Sequence, residues 1–182
     1  MQRVVVTAFG PDRRGIVATV TGVLVRRGAN LADTAMTNLA GQFAMVLVVE
    51  LPDDEPSEAL ERALANAAGG LGLTVAVEPL AAEVTASPAG AGDGTSWAVS
   101  VYGADRPAIV HRVTTLLAER GANVVDLSTR TIGTPEEPVY VMLLDITLPA
   151  DEDADDLRTA LLGLADDLRV EIHLRADDAD VL

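Results

Sequence analysis

The residues best suited to binding chemistry lie in two short polar segments, 10–17 and 27–33, and both segments occur again at 103–110 and 120–126. Asn30, in the second segment, offers a hydrogen-bond donor and an acceptor, which suits the ammonium and the carboxylate of a small zwitterion. The first segment leads into a predicted helix, whose free N–H groups favour a carboxylate. The residue types therefore indicate binding of a small charged molecule.

The repetition indicates one module that has been duplicated. Both segments are glycine-containing loops that flank a predicted helix, and such loops commonly carry binding function. Two structural interpretations compete with ligand binding. Asp12 and Asp105 stand where their side chains could accept hydrogen bonds from the N–H groups of the following helix. Asn30 and Asn123 could be turn residues in left-handed geometry.

Catalytic and metal-binding side chains are scarce in this chain. It has no cysteine and no lysine, and its two histidines are His111 and His173, so the usual nucleophiles and bases are few. His111 lies in a predicted helix of the second copy alone, and we expect it at a surface or packing position. Glu171 and His173 share one face of a predicted strand, which is too few ligands for a metal site. We expect neither an enzyme nor a metal or cofactor site.

The chain is strongly acidic, with 28 Asp and Glu residues against 13 basic residues, all of them arginine, and a formal net charge of −15. A surface of this sign repels phosphates, so we expect no direct binding of nucleic acid. Much of the acidic excess lies at the start of the last predicted helix and in the tail, where Asp177, Asp178 and Asp180 stand. Acids there complement the helix dipole and keep the protein in solution.

Nothing in the sequence indicates export or a membrane. The absence of cysteine is compatible with a reducing cytoplasm. Residues 1–6 lack the pattern of a signal peptide, and no apolar run approaches the ~20 residues of a membrane helix. We therefore expect a cytoplasmic protein.

Hydrophobic periodicity predicts the same order of elements, β-α-β-β-α-β, in each copy. In the first copy we predict strands at 4–9, 31–39, 42–51 and 74–78 and helices at 16–27 and 56–68. In the second we predict strands at 97–102, 123–132, 139–148 and 169–174 and helices at 109–120 and 155–168. Pro107 suits the first turn of a helix, and 133–138 is an insertion in a hairpin. The sequence thus predicts two domains, 1–80 and 96–182, the latter with an acidic C-terminal tail, joined by a flexible linker at 81–95.

This order of elements gives an α+β fold, in which two ferredoxin-like domains each have a four-stranded antiparallel sheet with both helices on one face. The other face of each sheet needs covering, so we expect a homodimer. The first helix returns the chain to the end of the sheet opposite Gly10. The Gly10 loop of one module and the Asn30 region of another can therefore approach only across an interface between modules, where a shared pocket could form.

The repeated pattern Gly-x-Asp-Arg, then Ile-Val, then Arg-Gly-Ala-Asn and Asp resembles the signature of the ACT domain, a small-molecule sensing module of amino-acid metabolism. The resemblance covers nearly the whole chain, and a free-standing pair of this length is similar to the glycine cleavage system transcriptional repressor family. It implies a regulatory protein that binds an amino acid of the glycine or serine class between domains. Its implied partners are a transcription factor or a metabolic enzyme.

Carried over by position, the resemblance implies two sets of ligand-binding residues. They are Gly10, Asp12, Arg13, Gly15, Ile16 and Asn30 in the first copy and Gly103, Asp105, Arg106, Ile109 and Asn123 in the second. The second set departs from the pattern, because Ala108 stands where the first copy has Gly15, and its methyl group could crowd a ligand. The first copy departs at Arg14, where the family commonly has proline. The alternative function is a protein–protein interaction module without a metabolite ligand, and direct operator binding is disfavoured because no helix-turn-helix or basic face is predicted.

Overall fold

The computed structural model describes residues 1–80 and 94–177, and in it each copy of the repeat folds as β-α-β-β-α-β. The first copy contains β1 (Gln2–Pro11), α1 (Ile16–Arg26), β2 (Asn30–Leu39), β3 (Gln42–Leu51), α2 (Ser57–Gly69) and β4 (Thr74–Pro79). The second contains β5 (Thr95–Gly103), α3 (Ile109–Glu119), β6 (Asn123–Gly133), β7 (Pro138–Leu148), α4 (Ala154–Leu168) and β8 (Val170–Ala176). The chain divides into two compact units that correspond to the two copies.

Each unit contains one four-stranded sheet in which all neighbouring strands are antiparallel. The strand order is β2-β3-β1-β4 in the first unit and β6-β7-β5-β8 in the second. Both helices of a unit lie on one face of its sheet, so the predicted α+β, ferredoxin-like fold is confirmed.

Mainly aliphatic side chains fill both cores, in a chain that has only two phenylalanines, two tyrosines and one tryptophan. Along β3, alternate residues from Phe43 to Leu51 are at most 4% exposed, which is the period-two pattern of a strand with one covered face. Ile16, Val20, Val23 and Leu24 of α1 and Leu60, Leu64 and Ala68 of α2 pack against this side. The same types fill the second unit, where Leu117, Met142 and Leu157 are fully buried.

The starts of α1 and α3 differ from what the sequence predicted. Their N-cap residues, Gly15 (φ 90°) and Ala108 (φ 71°), are in the left-handed region, and neither helix has a side-chain cap. The prediction that Asp12 and Asp105 cap these helices is therefore wrong. Pro107 precedes the N-cap residue of α3 instead of lying in the first turn.

Two other helix ends also correct the predicted boundaries. Asp153 caps α4 by accepting a hydrogen bond from the Asp155 amide at 2.7 Å, so this helix begins at Ala154. Arg169, predicted as the first residue of a strand, is the left-handed C-cap of the same helix (φ 54°). Gly28 (φ 66°) follows α1 as predicted, because glycine adopts this geometry without a steric penalty.

The repeated arginine of the second polar segment forms the same ion pair in both units. Arg27 Nη1 lies 2.6 Å from Glu55 Oε1, and Arg120 Nη1 lies 2.7 Å from Glu152 Oε1. Each pair joins the end of the unit's first helix to the loop before its second helix. The hydrogen bond that Arg120 donates to Glu152 raises the pKa of Arg120 above its ordinary value. The two arginines therefore have equivalent structural contacts in the two units.

Two of the predicted segments fall largely beyond the described residues. The flexible linker at 81–95 lies outside them except for its last two positions, and Thr95 already belongs to β5. Of the acidic tail, Asp177 alone is described. Among the described residues, the helices are too short or too polar to span a membrane. In the same part of the chain, no group of three or more metal-ligating side chains is assembled.

Candidate functional site

The sheet register places the two predicted halves of the site at opposite ends of each unit. In the first unit Gly10 pairs with Phe43, whereas Asn30 pairs with Glu50, which itself lies opposite Arg3. In the second unit Gly103 pairs with Tyr140 and Asn123 with Thr147, close to the two ends of β7. Within one unit, therefore, the Gly10-type loop and the Asn30-type residue do not meet, as the order of elements predicted.

Asp12 is held by the β2–β3 hairpin. Its backbone N–H donates a hydrogen bond to the Gly41 carbonyl at 2.9 Å, and its carboxylate Oδ2 accepts a hydrogen bond from Asn38 Nδ2 at 2.6 Å. These contacts tie the β1–α1 loop to the hairpin tip, across 26 residues of sequence. The carboxylate is exposed, so it can still receive a hydrogen-bond donor from a ligand.

Sequence reasoning missed Asn38 and Gly41 as parts of this site. The turn at Ala40-Gly41 was predicted, but a hairpin's position relative to another loop depends on the strand register. That register, in which Pro11 lies opposite Gln42, brings the hairpin tip beside Asp12. The alternation of β3 and the end of β1 at Pro11 were the available signals, and together they would have suggested the pairing.

The other predicted residues of the first loop have different surroundings. Arg13 and Gly15 are exposed, whereas Ile16 is 2% exposed and belongs to the core. Gly10 allows a close approach between strands, since a Cβ atom built there would lie 2.7 Å from the Gly72 carbonyl oxygen. At Gly15 such an atom meets nothing within 4 Å. Glycine at position 15 thus favours the left-handed backbone, and glycine at position 10 provides the space for the close approach.

The loop of the second unit has a different neighbour beside its aspartate. Burial raises the pKa of Tyr140 above its ordinary value of 10.0, and the negative charge of the nearby Asp105 raises it further. Gly103 allows close packing, because a Cβ atom there would lie 2.8 Å from Val170 Cγ1. Arg106 is exposed, and Ile109, like Ile16, is 2% exposed and belongs to the core.

Asn30 and Asn123 begin β2 and β6, and neither has a positive φ angle. The interpretation of these asparagines as left-handed turn residues is therefore wrong. Asn30 Nδ2 donates a long hydrogen bond of 3.4 Å to Glu50 Oε2 and its side chain is exposed. Asn123 is half-buried. The amide of Asn30 is available to a further partner.

Two grooves of the second unit lie away from the predicted ligand residues. A groove of about 320 Å³ between α3 and α4 is lined by His111, Arg112, Thr115, Leu116, Glu119, Ala160, Leu164 and Asp167. A groove of about 430 Å³ beside β8 is lined by Leu162, Ala165, Asp166, Val170, Glu171, Ile172 and His173. His111 is exposed, and Glu171 and His173 share a strand face with 3.9 Å between Oε2 and Nε2. The exposed position of His111 and the shared strand face of Glu171 and His173 agree with the sequence prediction.

Apart from Ile16 and Ile109, which belong to the cores, the predicted ligand residues lie near the two ends of each unit. At the Gly10 end lie an exposed carboxylate and a helix start without a side-chain cap, and at the Asn30 end lies an exposed amide. A carboxylate and free N–H groups can bind the ammonium and the carboxylate of one amino acid, respectively. The arrangement suits recognition of a small charged molecule.

Comparisons with known proteins agree with the duplication. A family model described as the ACT domain matches residues 2–78 and again 98–175. A UPF0237 protein of Methanopyrus kandleri is 42% identical over 79 residues, which cover 43% of this chain and 88% of that protein. The glycine cleavage system transcriptional repressor of Escherichia coli is 27% identical over 169 residues, covering 92% of this chain and 86% of the repressor. The crystal structure of an unknown protein from Galdieria sulphuraria has a TM-score of 0.83 at 29% identity, covering 97% and 98% of the two chains.

Proposed function

The chain belongs to the ACT domain family, as two domains in tandem, and on that premise we propose a regulatory protein that binds a small amino acid of the glycine or serine class. The ligand is held at interfaces between ACT domains and the bound state is signalled to a protein partner. The Escherichia coli relative, named a glycine cleavage system transcriptional repressor, supports a role in transcriptional regulation of amino-acid metabolism. The partner is then a transcription factor or a metabolic enzyme, and the protein acts in the cytoplasm.

The observation that carries this proposal is the uncapped start of α1 beside the exposed Asp12 carboxylate. An α-helix leaves its first N–H groups without an intrahelical acceptor, and α4 shows how a side chain, Asp153, supplies one. At α1 no side chain does so. Those N–H groups remain available to a ligand's carboxylate, and Asp12 is available to its ammonium.

Thermal unfolding of the full chain with glycine, L-serine and the other amino acids tests this function. A ligand that binds the folded state alone raises the unfolding midpoint, with about 2.7 kcal/mol of stabilisation when its concentration is 100 times the dissociation constant. We expect a concentration-dependent shift with glycine or serine. The shift should disappear in the variants Asp12→Ala and Asn30→Ala. The matched control is Asp54→Ala, which removes an exposed aspartate from another loop and should leave the shift unchanged.

The alternative function is a protein–protein interaction module without a metabolite ligand. The observation that favours it is β2, which is exposed at all ten positions of an edge strand. Such an edge offers unpaired backbone groups to another strand. It supports equally the homodimer that we propose, which sedimentation of the 18.9 kDa chain would reveal. An amino-acid panel without any shift at millimolar concentration would favour the interaction module.

A further inference from the structure

We propose that Asn38, near the end of β2, is the positioning residue of the first binding site. Its amide holds the Asp12 carboxylate in place, so that the first ACT domain presents an ordered loop to the amino acid and the second does not. This inference rests on the proposed function, because the Asp12 carboxylate is assigned there to the ligand's ammonium.

The geometry at Asp12 is a two-point attachment. Backbone and side chain of the same residue both bind the hairpin, through the Gly41 carbonyl at 2.9 Å and Asn38 Nδ2 at 2.6 Å. Because Asn38 engages Oδ2 and no hydrogen bond to Oδ1 is found within residues 1–80 and 94–177, the second oxygen of the carboxylate can accept from a ligand. A neutral amide donor orients the carboxylate without cancelling its charge, and the full negative charge remains available to an ammonium group.

The described residues of the second copy lack this pair of hydrogen bonds, although the strands of the two copies pair in the same way. Asn38 lies opposite Phe43, and Thr131 occupies the equivalent register position opposite Tyr140. In the described part of the chain no hydrogen bond joins Thr131 to Asp105; the phenol of Tyr140 is the group near that carboxylate. The hairpin is also longer there, since β6 and β7 are joined through 134–137, whereas Ala40 and Gly41 suffice between β2 and β3.

Ordering a charged side chain before the ligand arrives lowers the cost of binding, because less conformational freedom is lost on association. Asn38 and Asp12 are both exposed, so water competes for their hydrogen bond and the ordering that this bond provides is partial. Loss of the Asn38 amide should therefore weaken amino-acid binding about tenfold.

The test is calorimetric titration of glycine and L-serine into the full chain, comparing Asn38→Ala, the isosteric Asn38→Asp and Asn38→Gln, which restores the carboxamide. Thr131→Ala, the equivalent position of the second copy, is the matched control. We expect about tenfold weaker binding for Asn38→Ala, a larger loss for Asn38→Asp because two carboxylates then face each other, and partial recovery for Asn38→Gln. The ligand-free unfolding midpoint of Asn38→Ala should fall only slightly, since both partners of the lost hydrogen bond are exposed.

Amide hydrogen exchange at Asp12 gives a second readout that needs no ligand. Exchange should accelerate in Asn38→Ala and remain unchanged in Thr131→Ala. If the parent chain binds neither amino acid, the proposed ligand fails, and slow exchange that depends on Asn38 still supports the positioning contact. Unchanged affinity in Asn38→Ala, or exchange at Asp12 that is the same in all variants, would overturn the inference.

Discussion

Ala108 has a left-handed backbone conformation, which is unusual for an alanine. It is the N-cap of α3 at φ 71°, where the first copy has glycine at φ 90°. A side chain with a Cβ atom loses roughly 1–2 kcal/mol in the left-handed region, partly offset because glycine gains more freedom in the unfolded chain. We expect Ala108→Gly to stabilise the second unit by about 0.5–1 kcal/mol.

Urea unfolding followed by tryptophan fluorescence measures this change, because the single tryptophan, Trp97, lies in β5 of the second unit. The converse substitution, Gly15→Ala, should destabilise the first unit by a similar amount, since its Cβ atom meets nothing within 4 Å and only the backbone angle opposes it. A lower urea midpoint for Ala108→Gly would show that the alanine methyl contributes packing that outweighs the strain.

Tyr140 should make the stability of the second unit depend on pH in the alkaline range. Its pKa is raised by burial and then by Asp105, so the folded state holds the phenol proton more tightly than the unfolded chain does. This contribution is fully present below pH 10 and is lost as the pH rises through the raised value. Asp105→Asn should lower the pKa of Tyr140, which absorbance titration of the phenolate measures, with Asp126→Asn as control. If the titration curve of Tyr140 is the same in Asp105→Asn as in the parent chain, Asp105 does not contribute to the raised pKa.

At the scale of the elements, the order of strands and helices could be predicted from the sequence, and the starts of two helices could not. The alternation of apolar residues in β3 and the apolar stripe of α1 predict the bounds of these elements to within a few residues. The capping rule failed at Asp12 because it presumes a side-chain cap, whereas Gly15 begins α1 by its backbone angle. The contact between Asp12 and Asn38 depends on how β1 pairs with β3, which the pattern of either strand alone does not specify.

The Arg27–Glu55 ion pair joins the end of α1 to the loop before α2, and the equivalent arginine of the second unit forms the equivalent pair. Their side chains are 37% and 21% exposed, and the atoms lie 2.6 Å apart. We expect a double-mutant cycle of Arg27→Ala and Glu55→Ala to give a coupling of about 0.5–1 kcal/mol in thermal unfolding, decreasing in high salt. Arg26 and Glu58 are both exposed, and no ion pair joins them within the described residues, so the same cycle at these two positions is a control for nonspecific charge effects. If the destabilisation by Arg27→Ala and by Glu55→Ala simply adds in the double variant, the ion pair is not the reason that the arginine occurs in both copies.

For the whole molecule, the dominant electrostatic property is a formal net charge of −15 on 182 residues. Like charges brought together by folding repel one another, and salt reduces this repulsion once the Debye length falls to about 10 Å near 0.1 M. The few ion pairs, such as Arg27–Glu55, respond in the opposite direction, but acids outnumber arginines by more than two to one. We therefore expect the unfolding midpoint to rise by several degrees between 0.01 M and 0.5 M sodium chloride, as followed by circular dichroism.

Because the net charge makes stability depend on salt, the effect of an amino acid on the unfolding midpoint can be measured separately at high salt. A zwitterion carries no net charge and does not screen, so stabilisation by glycine or serine should persist at 0.5 M sodium chloride if it comes from a site. Replacing the amino acid with its uncharged amide analogue N-acetylglycinamide, which lacks both charged groups, should remove the shift. Equal shifts from both compounds would identify a general solute effect, whereas a shift confined to the zwitterion would show that both charged groups of the ligand are recognised.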